Sequence, residues 1–209
     1  GTKLLDRPGQ LIVGVDFNFQ RDDRKRFDNN NGIQGGKTLD RLETVYSLGP
    51  YLRTEWKWTP RLELVGGVRY DRVHFDLDDA FLEDGDQSDS RTLSEWSGTI
   101  GAIFHRNDFM HFYTNIATAF ETPTTTELTS DPSGGSGFNS NLNSQKSVSY
   151  EIGLKSIKPG KAGLDLALFL IRSSSSSTTP VFDLLRIISA IASCVFWSMS
   201  IGSSWCLSR

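Results

Sequence analysis

Three histidines, His74, His105 and His111, have the widest chemical range in this 209-residue chain. His105 and His111 flank Arg106-Asn107-Asp108 and would approach each other across a hairpin. A zinc site needs three or four converging ligands, and two are evident, so no metal ligand is assigned. The acidic run Asp76-Leu77-Asp78-Asp79-Ala80-Phe81-Leu82-Glu83-Asp84-Gly85-Asp86 invites calcium. It lacks the alternating ligands and closing glutamate of an EF-hand, and a solvated loop accounts for it. Ser133-Gly134-Gly135-Ser136-Gly137 has no following Lys-Ser/Thr and is no phosphate cradle. No serine has a nucleophile signature with a base and an orienting group. Catalytic, cofactor-binding and metal residues are therefore all absent from the reading, and the chain is not expected to be an enzyme.

The elements that hold these residues show period-two alternation, the mark of half-buried strands. Within Gln10–Gln20, Leu11, Val13, Val15, Phe17 and Phe19 share a face, with Gly14, Asp16 and Asn18 opposite. Val45–Trp58 and Arg61–Tyr70 repeat the pattern with Tyr46, Leu48, Leu52 and Trp56, then with Leu62, Leu64 and Val68. Trp96, Ile100 and Phe104 follow, then Phe112 and Ile116, then Val148, Tyr150, Ile152 and Leu154. Connections alternate as well. Arg7-Pro8-Gly9, Thr59-Pro60, Arg106–Asp108 and Lys158–Gly163 read as tight turns. Arg21–Glu43, Asp76–Thr92 and Thr122–Gln145 read as long polar loops. Short turns at one end and long loops at the other are the order of a transmembrane β-barrel, whose alternating strands keep mean hydropathy low. The value here is -0.32. Trp56 and Trp58 sit beside a tight turn, where an interfacial aromatic belt belongs. A net charge of -3 gives nucleic acid no basic surface. The first 193 residues contain no cysteine; Cys194 and Cys206 are both in the tail.

Three stretches resemble TonB-dependent outer-membrane receptors. Ser47–Leu62, including Thr54-Glu55-Trp56-Lys57-Trp58-Thr59-Pro60, is similar to the family's strand–turn–strand hairpin and is followed by Gly67-Val68-Arg69-Tyr70-Asp71. Tyr113–Leu128 is similar to the strand that leaves the membrane into a Thr/Pro-containing loop, and Lys146–Lys155 to the strand after it. The resemblance covers roughly residues 44–172. It implies an antiparallel barrel of 22 strands closed by a plug, lodged in outer-membrane lipid, importing a ferric siderophore or similar nutrient and energised by TonB. Against that pattern the chain supplies about eight strands, without a plug or TonB box. It is expected to be a carboxy-terminal fragment that would not transport alone. No signal peptide is visible at Gly1, and the strand pattern favours a missing amino terminus over a protein that is not exported.

Ligand contacts in such a receptor belong to its outer loops and plug, and individual contact residues stay unassigned. Arg21, Arg24, Lys25 and Arg26 would attract an anionic chelate. Pairing with Asp22, Asp23 and Asp28, or with lipopolysaccharide phosphates, is the plainer account. Two rival readings remain open at this point: a passive porin or adhesin barrel, and a soluble β-sandwich binding module. Beyond Arg172 the alternation stops. Residues 173–209 open with five serines and include Ile187–Trp205, nineteen residues without a charge. Out-of-frame translation is the favoured explanation; a helical anchor and a disordered tail are the others.

Overall fold

The computed structural model describes residues 3–4, 7–132, 134–157, 163–174, 182–184 and 187–191. Their secondary structure is almost wholly extended. In chain order come β1 (Lys3–Leu4), β2 (Arg7–Asn30), β3 (Ile33–Thr59), β4 (Leu62–Asp79), β5 (Asp89–Asn107), β6 (Met110–Glu121), a four-residue helix α1 (Thr125–Leu128), β7 (Gln145–Ile157), β8 (Gly163–Ser174), β9 (Phe182–Leu184) and β10 (Ile187–Ile191). Each strand from β1 to β8 pairs antiparallel with the next, and β9 and β10 both pair with the far side of β8. The sheet is open, with β1 at one edge of the described residues.

Register carries one face through the whole sheet. Starting at Leu11, the cross-strand row runs Thr54, Gly66, Ile100, Ile116, Tyr150 and Leu170. A neighbouring row runs from Leu64 through Ala102, Thr114 and Ile152 to Leu168. The side-chain period is two, so a slip of one residue would send every apolar group to the opposite face. The apolar face is left bare: Trp96 and Ile100 are each 67% exposed. In water such a surface is an aggregation hazard. In hydrocarbon it is favourable, and the ladder already satisfies the backbone. No helix among the described residues is long and apolar enough to cross a membrane.

The opposite face is polar over most of its height. Only near the long-loop end does it build a small apolar core, from Phe75, Leu77, Leu93, Leu128 and Phe138. Leu128 is fully buried there.

The alternation of short and long connections is present, with three adjustments. Arg21–Glu43 is not a loop. β2 and β3 stay paired through it, with register shifts between Arg26 and Phe27 and between Phe27 and Asn29, and reverse at Asn31-Gly32, with φ of 55° and 90°. Asn-Gly supplies the two positive φ values that a tight hairpin turn demands, and the Asn29 side chain accepts from the Gly32 amide at 2.7 Å. Polarity on both faces hid the strands, because apolar alternation is the sign by which a strand is read. Asp76–Thr92 is strand at both ends, leaving a connection of residues 80–88 with a single 3-10 turn, Leu82–Asp84. Arg7-Pro8-Gly9 lies within β2, and the reversal falls between Leu4 and Arg7. Pro8 is tolerated at the start of a strand paired with only two residues of β1.

Other turns match expectation. At Thr59-Pro60 the threonine hydroxyl accepts from the Arg61 and Leu62 amides at 3.2 and 2.9 Å. Asn107 accepts from the Phe109 amide at 3.0 Å. Pro50 lies inside β3, and the β3–β4 ladder skips Gly49 and Pro50 where the missing N–H would have donated. Residues 158–162, 175–181 and 192–209 lie outside the described residues, and with them the fourth tight turn, most of the apolar run and both cysteines. The helical reading of that run does not hold over its first five residues, which form β10 against Asp165–Leu168.

Candidate functional site

The polar face is a wall of ion pairs arranged in tiers. At mid-height, Arg69 on β4 bonds Asp71 through Nε and Nη2, at 2.8 and 2.7 Å, and bonds Asp16 on β2 through Nη1. The guanidinium crosses β3 to do so. Gly49 makes room for it, because a Cβ there would meet the guanidinium itself, with Arg69 Cζ at 2.8 Å. An open pocket of about 600 Å³ faces this tier, lined among others by Asp16, Tyr51, Arg53, Arg69 and Asn115.

The upper tier is closed by the segment Thr122–Ser144. This long connection turns inward and covers the polar face. Its α1 begins with a reciprocal cap. The Thr124 hydroxyl accepts from the Glu127 amide at 3.3 Å, and the Glu127 carboxylate accepts from the Thr124 amide at 2.8 Å. The Thr124 amide and the Thr124 hydroxyl, the latter at 3.0 Å, both donate to the Glu127 carboxylate and hold it below its ordinary range, the amide contributing more. Three arginines pin the segment to the wall. Arg24 donates to Thr126 at 3.0 Å and to Glu43 at 2.7 Å. Arg41 pairs with Glu43 at 2.6 Å and reaches Thr129 at 3.4 Å. Arg91 donates to the carbonyls of Asn139 and Ser140 and to the Asn143 side chain. Those three partners are neutral. Glu43 is buried between two guanidinium groups, and Arg41 is nearly so. Lys146 bonds Glu95 at 2.7 Å nearby.

The basic cluster foreseen from sequence is divided by the strand. Arg24 points to the polar wall, whereas Lys25 pairs on the other face with Asp23 at 3.0 Å and Asp40 at 4.0 Å. Asp22 accepts from Gln20 at 2.6 Å. Arg21 and Arg26 have no ion pair within 4 Å among the described residues. Arg41, Glu43 and Arg91 were missed as members of the wall. The signal was available in period two: counted back from Ser47, Glu43 and Arg41 share its face.

The acidic connection satisfies itself. Asp79 accepts from the Phe81 and Gln87 amides at 3.0 and 3.2 Å. Asp86 accepts from the Ser88 amide at 2.9 Å, and its carboxyl is lowered by Ser88 donors. Of the serine–glycine stretch, Ser136 donates to the Asp86 carbonyl at 2.9 Å, and Ser133 lies outside the described residues. His74 sits on the apolar face beside Tyr46 and bonds Thr92 at 2.8 Å. His105 and His111 meet across β5 and β6, Nδ1 to Nδ1 at 2.7 Å. Among the described residues, no group of three or more His, Cys, Asp or Glu is placed to hold a metal ion.

Comparison with known proteins gives a consistent picture. The family profile "TonB dependent receptor-like, beta-barrel" matches residues 2–181. The closed form of the ferric-catecholate import receptor Fiu from E. coli K12 superposes with a TM-score of 0.57 at 20% identity, over 79% of this chain and 28% of Fiu. The ferric yersiniabactin uptake receptor FyuA from Yersinia pestis gives 0.61 at 18% identity, over 80% and 26%. The copper transporter OprC gives 0.60 at 20% identity, over 79% and 27%. At these identities the likeness is one of fold, and the chain spans roughly a quarter of each solved structure.

Proposed function

Because the chain belongs to the TonB-dependent receptor β-barrel family, a family of transporting receptors and not of enzymes, we propose that it forms part of the wall of an outer-membrane receptor for active uptake of a ferric siderophore. The observation that carries the reading is the division of one sheet into two environments. A continuous apolar face suits outer-membrane hydrocarbon, and the wall behind it is lined by ion pairs that tolerate water. Cargo would pass along that wall. The inward segment Thr122–Ser144 narrows the route from outside, and Arg91, whose bonded partners are neutral, offers positive charge to an anionic chelate. Fiu and FyuA are described as receptors for ferric chelates, which favours iron over the copper of OprC. TonB would act on the whole receptor through its plug.

Uptake of radiolabelled iron from a panel of siderophores tests the reading, in cells with and without the intact receptor and with and without TonB. Saturable uptake that disappears when TonB is removed is the expected result. Uptake of copper instead would overturn the cargo, and entry that persists without TonB would point to a passive pore.

A further inference from the structure

At the short-turn end of the polar wall the two facing histidines sit on a platform of their own. We infer that His105 and His111 form a two-imidazole binding site for a divalent transition-metal ion, with copper(II) as the preferred occupant. The inference goes beyond cargo uptake and rests on the geometry of β3 to β6 and their short turns.

Three observations carry it. The two residues are direct cross-strand partners, so the backbone holds their Cβ atoms side by side without help from a loop. Their rings stand nearly perpendicular, at 78°, with Nδ1 atoms 2.7 Å apart. Two imidazole nitrogens bound to one metal at about 2.0–2.1 Å and at right angles would be about 2.9 Å apart, so a shift of a few tenths of an ångström seats the ion. Without metal, one Nδ1–H donates to the other Nδ1. A metal ion takes that proton's place, and the proton passes through solvent to Nε2 of the same ring, so both imidazoles bind neutral.

Glu63 on β4 supplies the second ingredient. Its Oε2 stands 3.6 Å from His105 Nε2, too far for a hydrogen bond, beside the ring nitrogen that does not face His111. A carboxylate on the far edge of a ligating imidazole is the arrangement that orients such a ring toward a metal. The third observation is space and charge. Both histidines line an open pocket of about 570 Å³ with Lys57, Arg61 and Arg106. Glu63 and Asp108 line the same pocket, so its charge is mixed, and the two donors that converge are nitrogens, which the oxygen-binding ions calcium and magnesium do not favour. An ion held by nitrogen coordination is favoured instead, and copper(II) leads the divalent order for such ligands. Waters from the open pocket would complete its coordination. Sequence alone left the pair as two ligands too few; the cross-strand geometry makes those two a chelate.

The test is copper(II) titration of the full chain folded in detergent micelles, followed by electron paramagnetic resonance. One saturable site with hyperfine splitting from two imidazole nitrogens is expected. His105→Asn and His111→Asn should each weaken binding at least about tenfold, and His74→Asn should leave it unchanged. A spectrum with no imidazole nitrogen or only one, or affinity indifferent to both variants, overturns the site. If either variant fails to fold, the wild-type spectrum decides by itself. Because the readout is equilibrium binding, its failure would leave siderophore uptake untouched, and failed uptake would leave the copper site untouched.

Discussion

Glu127 is the carboxylate whose protonation the inward segment feels most directly. Its ordinary value is about 4.5, and the bonds to Thr124 lower it in the folded protein. A lowered carboxyl stabilises the fold above its unfolded value and loses that contribution as pH falls through the folded one. Protection of the Leu128 amide, which bonds the Thr124 carbonyl at 3.0 Å, should therefore drop as pH is taken from about 5 to below 4. Glu127→Gln can still cap the turn and should be flat across that window. Hydrogen exchange expressed as protection factors reads both. At this scale the sequence was legible where a residue bonds its neighbours and opaque where it reaches across strands. The Thr124–Glu127 spacing and the facing of His105 and His111 follow from local order. The bridge from Arg69 over Gly49 to Asp16 needs the register of three strands, and a lone sequence does not state register.

Among the elements, the segment Thr122–Ser144 is held by a small core and three arginines, so its opening should be separable from unfolding of the sheet. Leu128→Ala removes a fully buried side chain from that core. The expected cost is about 2 kcal/mol, at the low end for such changes because the cluster is small. Limited proteolysis should show cleavage of the segment rising about thirtyfold, with the strands still resistant. A similar rate in wild type and variant would mean that the segment is not packed as described. Strands were readable here from alternation wherever one face meets lipid, and all six apolar faces named from sequence fall on one side of the sheet. The upper halves of β2 and β3 escaped because their residues are polar on both sides. Asn31-Gly32 was the one local sign of a hairpin there.

For the whole molecule, the apolar face makes a claim that one pair of variants can decide. Ile116 lies on it at mid-strand, and its chain neighbour Asn115 faces the wall. Ile116→Lys should destabilise the protein folded in lipid vesicles by about 2–4 kcal/mol, whereas Asn115→Lys should cost under about 1 kcal/mol. Denaturant titration with tryptophan fluorescence measures both, and equal costs would remove the lipid-facing assignment. The outline of the molecule is uneven. β2 and β3 run for 24 and 27 residues, β6 and β8 for 12 each. With a usual rise per residue and barrel tilt, the hairpin tip stands roughly 35–40 Å above the rim on the opposite flank. In a receptor wall of the kind proposed above, that height would make Asn31-Gly32 the first part of this sheet that a large particle arriving from outside would meet.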